Sequence, residues 1–322
     1  MRLWRVRLWR VLQVLFIGAV LWYAVRLLAG QWTELAALSA DLRPSWWRVA
    51  FSALIVFVSY GVLIATWRSM VVAWGERLRV DDAMRIWFVS NLGRYIPGKV
   101  WQIGAMGAMA QRVGVSPVAA AGSSVVIALI NVLAGFAVVG VTGASLVSAV
   151  LPTTAALLIG LVVGAVAVIA LPWLLPPLTR FALRATGRQP DAGVVALPLR
   201  AVLIAALGCA VAWVLYGLAF RELSVAILGG ASGDAATYVA VFTLSYLLGF
   251  IVLLAPGGLV VREVSLATLL VAAGISAGAE AAVLVIASRL WLTVLEIVPG
   301  LLFLAFARPL NDSNSETKIV LP

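Results

Sequence analysis

The side chains with chemistry to offer in this sequence are ionisable groups set in apolar surroundings. Asn91, Arg94 and Lys99 flank a Pro97-Gly98 step. Arg262 and Glu263 follow a Pro256-Gly257-Gly258 step. Glu280, Arg289 and Glu296 sit in a long apolar run near the C-terminus. A charge inside a bilayer costs about 3 kcal/mol or more unless it faces a polar cavity or a partner. Pro-Gly steps break helices, and the half-helices starting at Gly98 and Gly257 then offer free N-terminal amides and a positive dipole end. Arg94, Lys99, Arg262 and Arg289 add positive charge to the same region. The planar fork of arginine suits phosphate. The chemistry indicated is binding of an anionic group, such as a lipid phosphate. Glu263 and Glu296 either fix the arginines, receive a cationic head group or exchange protons. The plainer alternative is a set of Arg–Glu pairs that only lock helices together. Arg289 and Glu296 lie seven apart and so share one helical face. Arg94 and Lys99 have no acid close in sequence.

Other chemistries lack their residues. The chain has no His and a single cysteine, Cys209. The commonest metal ligand and the usual general base are therefore missing, and no internal disulfide can form. There is no nucleotide-binding motif. The expectation is a protein without cofactor and without enzymatic activity of its own.

Positioning these groups requires membrane-embedded helices. Of the 322 residues, 64% are apolar and only 11% charged, against about half and about a quarter in soluble domains. Mean hydropathy is +1.10. A soluble enzyme, a coiled coil and a disordered chain are excluded. Segments long enough to cross as helices are 11–30, 46–67, 117–140, 153–172, 199–220 and 280–306. Two further stretches, near 84–112 and 237–273, are broken by Pro-Gly and read as helix–break–helix hairpins, either re-entrant or fully spanning. The fold expected is an all-α polytopic membrane protein with about six full crossings plus two broken hairpins, up to ten membrane segments. The segment from Val11 to Ala29, preceded by Arg2, Arg5, Arg7 and Arg10, reads as an uncleaved first helix. The net charge of +10 reports the positive-inside bias rather than nucleic-acid binding. Arg68, Arg77, Arg79, Arg85 and Arg200 fall on one side, with the N-terminal arginines, and Arg43, Arg48 and Arg221 on the other. Both termini are then cytoplasmic, in a bacterial inner membrane.

The two hairpins are followed by matching text: Gly114-Val115-Ser116 after the first and Gly274-Ile275-Ser276 after the second, each leading into an Ala-rich helix. Three crossings separate the hairpins, so they open to opposite sides. This is the pattern of an inverted-topology repeat. One transmembrane domain is expected over 1–310, with repeat 1 about 46–140 and repeat 2 about 199–306. Residues 311–322 form a polar, disordered cytoplasmic tail. Most of the 13 tryptophans, among them Trp46, Trp47, Trp67, Trp74 and Trp101, fall at expected helix ends and read as interfacial anchors.

Asn91-Leu92-Gly93-Arg94-Tyr95-Ile96-Pro97-Gly98-Lys99, followed by Gly114-Val115-Ser116, resembles the first signature of the flippase-like transmembrane family. This is the membrane region of lysylphosphatidylglycerol synthetases and of their stand-alone relatives. Ala255-Pro256-Gly257-Gly258-Leu259-Val260-Val261-Arg262-Glu263, followed by Gly274-Ile275-Ser276 and Arg289, looks like its second signature. The resemblance covers roughly 10–306. It implies a lipid translocase, or a lipid-handling partner of an envelope-biosynthesis enzyme, with the signature residues around the head group. Ser123, Ser124 and Asn131 stand where relatives often carry an acidic–Arg pair, and Val260 where they often have Gly. No segment reads as the soluble aminoacyl-transferase module, so lysyl transfer is not among the expectations. The leading reading is a flippase-like protein that binds an anionic, aminoacyl- or glyco-lipid head group at a midplane cavity between the two hairpins. The alternatives are a non-transporting subunit of an envelope glycolipid or glycosyltransferase system, or a small-molecule secondary transporter.

Overall fold

The computed structural model describes residues 43–95, 100–143, 197–251, 261–276 and 278–306. Among them are eight α-helices and no strand: α1 (Trp46–Ala73), α2 (Val80–Asn91), α3 (Val100–Arg112), α4 (Pro117–Thr142), α5 (Leu199–Leu228), α6 (Ala235–Ile251), α7 (Val261–Ala272) and α8 (Gly278–Phe306). A short 3-10 turn, Leu92–Tyr95, extends α2. Four of these, α1, α4, α5 and α8, are long and apolar enough to cross a membrane. They are predominantly apolar around their circumference, as helices in lipid contact are. The expected crossings at 11–30 and 153–172, the N-terminal helix and the C-terminal tail lie outside the described residues.

Both expected hairpins appear as pairs of shorter helices. The arms of the first, α2 and α3, have 12 and 13 residues, and those of the second, α6 and α7, have 17 and 12. Twelve residues rise only about 18 Å, well short of a bilayer's hydrocarbon thickness. Asp81 and Asp82 occupy the first turn of α2, where carboxylates favour the helix dipole. In each hairpin the second arm ends in the same turn. Gly114 and Gly274 adopt φ of +80° and +64°, which glycine enters without a Cβ penalty. Around the first, the Gly114 amide donates to the Gln111 carbonyl and the Val115 amide to that of Ala110. Around the second, Gly274 donates to Val271 and Ile275 to Leu270. The wider 6→1 bond marks a Schellman cap. Val115 and Ile275 follow their glycines into the core, 2% and 3% exposed. Ser116 then caps α4, accepting from the Ala119 amide at 3.4 Å, with Pro117 at the first helical position.

The most extensive helix contact joins α1 to α5. The two run antiparallel in strict register. The Ser45 amide donates to the Ala226 carbonyl (2.8 Å), Arg48 pairs with Glu222 (3.1 Å), and Ser52 and Ser59 donate to the carbonyls of Ala219 and Ala212. Buried hydroxyls answering carbonyls bind helices without an apolar driving force. Arg48 and Arg221 thus share one end of the pair, and Arg68 and Arg200 lie toward the other, as the charge census expects.

Around this pair the packing is matched. Helix α2 packs on α8 while α6 packs on α4; α3 packs on α4 while α7 packs on α8. One expectation fails. Trp67 is no interfacial anchor: it is fully buried, and its Nε1 donates to Ser124 Oγ at 3.1 Å. The aromatic belt describes Trp46, Trp47 and Trp101 better, at 74%, 64% and 56% exposure.

Candidate functional site

Helix α8 gathers the charges. Arg289 and Glu296 stand near its middle on one face, separated by about 10 Å of helical rise. They do not pair with each other. Glu296 accepts from Arg94 Nη1 (2.5 Å) and from the Tyr95 hydroxyl (2.9 Å), both in the turn that closes the first arm of hairpin one. Arg289 donates through Nη1 to Glu263 Oε1 (3.0 Å), at the start of the second arm of hairpin two. The lack of an acid near Arg94 in sequence is therefore misleading, because its partner lies 202 residues away. Glu296 is 7% exposed, whereas the Arg94 side chain is 38% exposed.

Close approach of α8 to hairpin one depends on Gly300. A Cβ there would lie 2.7 Å from Leu92 Cδ2 and 2.9 Å from the Phe88 carbonyl oxygen. One residue earlier, Pro299 interrupts α8 and removes the amide that would satisfy the Leu295 carbonyl.

Within each hairpin a glycine of the first arm meets the first turn of the second. A Cβ on Gly93 would come 3.1 Å from the Gln102 amide nitrogen, and one on Gly249 would come 2.7 Å from Arg262 Cβ. Beyond that shared contact the hairpins diverge. In hairpin one, Gln102 Nε2 donates to Asn91 Oδ1 at 2.5 Å, an amide–amide clamp with Asn91 4% exposed. In hairpin two, the Arg262 guanidinium lies over the Tyr246 ring, 4.1 Å from its centroid, and 5.8 Å from that of Phe242. Both rings lie further from the break than Gly249, so the guanidinium points along α6, away from the N-terminal amides of α7.

Those rings belong to an aromatic cluster that sequence reasoning missed. Tyr60 of α1 meets Tyr216 of α5 edge-on at 6.1 Å, Tyr216 stacks on Phe242, and Trp213 and Phe242 both pack against Tyr246. Arg94 lies within electrostatic reach of Tyr60, Tyr216 and Tyr246, and Glu296 within reach of Tyr60 and Tyr216. The signal that could have found it is a repeated dipeptide: Tyr60-Gly61 and Tyr216-Gly217 stand at similar places in α1 and α5.

Of the residues singled out from sequence, Arg94, Arg262, Glu263, Arg289 and Glu296 are drawn together around α8 and the aromatic cluster. Asn91 serves the clamp. Pro97, Gly98, Lys99, Pro256, Gly257 and Gly258 lie outside the described residues. Among the described residues no group of His, Cys, Asp and Glu is arranged to hold a metal ion. The arrangement is a largely buried, net-positive polar cluster edged with tyrosines, suited to holding an anionic group.

Compared with known families, residues 10–300 match the one described as "Lysylphosphatidylglycerol synthase TM region". The match spans well over half the chain, so this protein belongs to that family, and with its four long apolar helices it is a multi-pass membrane protein. No curated protein matched the chain.

Proposed function

We propose that this protein is a flippase-like translocase of the bacterial inner membrane, with both termini cytoplasmic and no catalysis of its own. It moves a lipid with an anionic head group between leaflets. The observation that carries this reading is the convergence of both broken hairpins on the middle of α8. Arg94 and Tyr95, just before one break, and Glu263, just after the other, bind side chains only two helical turns apart. Charge so far inside a span is retained where it serves a polar path.

An inverted repeat accounts for the rest. Helices α1 to α4 and α5 to α8 form the two copies. Their first helices run antiparallel, their second arms end in the same glycine turn, and α2·α8 answers α6·α4. Tyr60 and Tyr216, on the paired first helices, touch where the two copies meet. Exchange of these equivalent packings would open a path beside the aromatic cluster to one leaflet and then the other, the general scheme of inverted-repeat transporters.

The test is a proteoliposome assay of fluorescent phospholipid movement, comparing wild type with Arg94→Ala and Arg262→Ala. Movement by wild type and its loss in both variants is the expected result. Equal movement by all three proteins refutes the roles given to these residues.

A further inference from the structure

The described arginines around α8 are not equivalent. Arg94 is neutralised by Glu296 and Arg289 by Glu263. Arg262 makes no described ion pair. It is 6% exposed, and among the described residues its Nη2 has no hydrogen-bond partner and its head lies against the faces of Tyr246 and Phe242. Among the described groups around α8, three guanidiniums thus meet two carboxylates, leaving one unbalanced positive charge at Arg262. A buried charge that the described residues hold by ring faces is under-satisfied, and such a group marks a place where a ligand completes the hydrogen bonding.

Comparison of the two hairpins sharpens this. Gln102 meets Gly93 as Arg262 meets Gly249. Gln102 spends its amide on Asn91 and needs nothing further. The backbone contact is common to both hairpins, and so does not itself demand an arginine. The guanidinium is the added feature of hairpin two.

We propose that Arg262, stacked on Tyr246, is the anchoring subsite for one singly charged phosphodiester or phosphate oxyanion at the edge of the aromatic cluster. The anion takes the free edge of the guanidinium, and Tyr246 holds the plane of the fork. This deepens the translocase reading and rests on it for the anion being part of a lipid. The neutralised Arg94 and Arg289 are positioning residues that tie the hairpins to α8.

The experiment measures binding to the purified full-length protein in detergent micelles, by the change in tryptophan fluorescence, Trp213 lying against Tyr246. The probes are short-chain phosphatidylglycerol, inorganic phosphate and short-chain diacylglycerol. Wild type is expected to bind phosphatidylglycerol and not diacylglycerol. Arg262→Gln should weaken that binding by about tenfold or more, as loss of charged hydrogen bonds implies. Arg262→Lys should fall between, since it keeps the charge and loses the fork. Binding of inorganic phosphate with equal affinity assigns the site to free phosphate and overturns the lipid assignment. Unchanged phosphatidylglycerol affinity in Arg262→Gln, or equal binding of diacylglycerol, overturns the subsite. If Arg262→Gln does not fold, Arg262→Lys decides alone: wild-type affinity there overturns the proposal. Lipid movement measured in parallel separates the two ideas. Arg262-dependent binding without movement by wild type sinks translocation alone, and movement with Arg262-independent binding sinks the subsite alone.

Discussion

The Arg94–Glu296 pair should respond asymmetrically to neutralisation. Glu296 is 7% exposed, and its two carboxylate oxygens are served by Arg94 and Tyr95. Replacing Arg94 with Gln leaves a buried carboxylate with Tyr95 as its one strong donor. Breaking a buried pair in this way costs about 3 kcal/mol, the lower end of the usual range because Tyr95 remains. Replacing Glu296 with Gln has a different result. The new amide still accepts from Tyr95, and the Arg94 head, 38% exposed, turns to its polar side at about 1 kcal/mol. The double replacement removes both charges and leaves two amides that bond each other, at about 2 kcal/mol in total. The coupling energy is then about 2 kcal/mol, within the range for contacting residues. Reversible unfolding in mixed micelles with increasing dodecyl sulfate measures all four proteins. The reasoning fails if Glu296→Gln costs as much as Arg94→Gln, or if the two costs simply add.

The same geometry sets three further outcomes. Gly249→Ala drives a methyl to 2.7 Å from Arg262 Cβ and should cost about 1–3 kcal/mol by overpacking hairpin two, read by the same unfolding titration. Gly274→Ala meets nothing within 4 Å but holds φ at +64°; its cost of about 1–2 kcal/mol is backbone strain alone, whereas Gly61→Ala, in open space within α1, should be neutral or stabilising. Asp234 Oδ1 accepts from the Thr237 amide at 2.7 Å to cap α6, and hydrogen bonding from the Thr237 side chain, together with that amide, holds its carboxyl below the usual range. A depressed folded value means that the stabilisation is complete above the unfolded value of about 3.9 and is lost as pH falls through the folded one. Asp234→Ala should therefore cost about 1 kcal/mol at pH 7, and its unfolding midpoint should converge with that of wild type in strong acid.

Much of the frame can be read in the sequence because it rests on local rules. Proline and glycine announce the broken hairpins, and Gly114 and Gly274 announce their closing turns, since few other residues reach those dihedrals. The seven-residue spacing of Arg289 and Glu296 identifies the charged face of α8. Pairing is not local. Whether Glu296 answers Arg289, two turns away on its own helix, or Arg94, 202 residues away, depends on which helix packs on α8, and no periodicity encodes that. The tyrosines were equally hidden. The repeated Tyr-Gly dipeptide marks Tyr60 and Tyr216 as alike, but that the two meet follows only once α1 and α5 are known to be antiparallel. Trp67 shows the same limit in reverse: its position suggests a helix end, but α1 runs on to Ala73 and carries it into the core.

The two hairpins separate what the backbone does from what the charges do. Their close glycine contacts, their closing turns and their packing on α8 and α4 correspond, so the mechanical parts of the two hairpins are alike. The polar groups are not. Arg289 and Glu296 lie on α8, whereas α4 carries Ser123, Ser124 and Asn131 and no charge between Pro117 and Thr142. On the translocase reading proposed above, this matched scaffold would let the two packings exchange at little net cost, because each lost contact has a counterpart that forms. The one-sided set of charges would then keep a bound anion with hairpin two and α8 as the surrounding helices move. Selectivity would reside chiefly in the Arg262 guanidinium, and movement in the glycines. The two should respond to different substitutions.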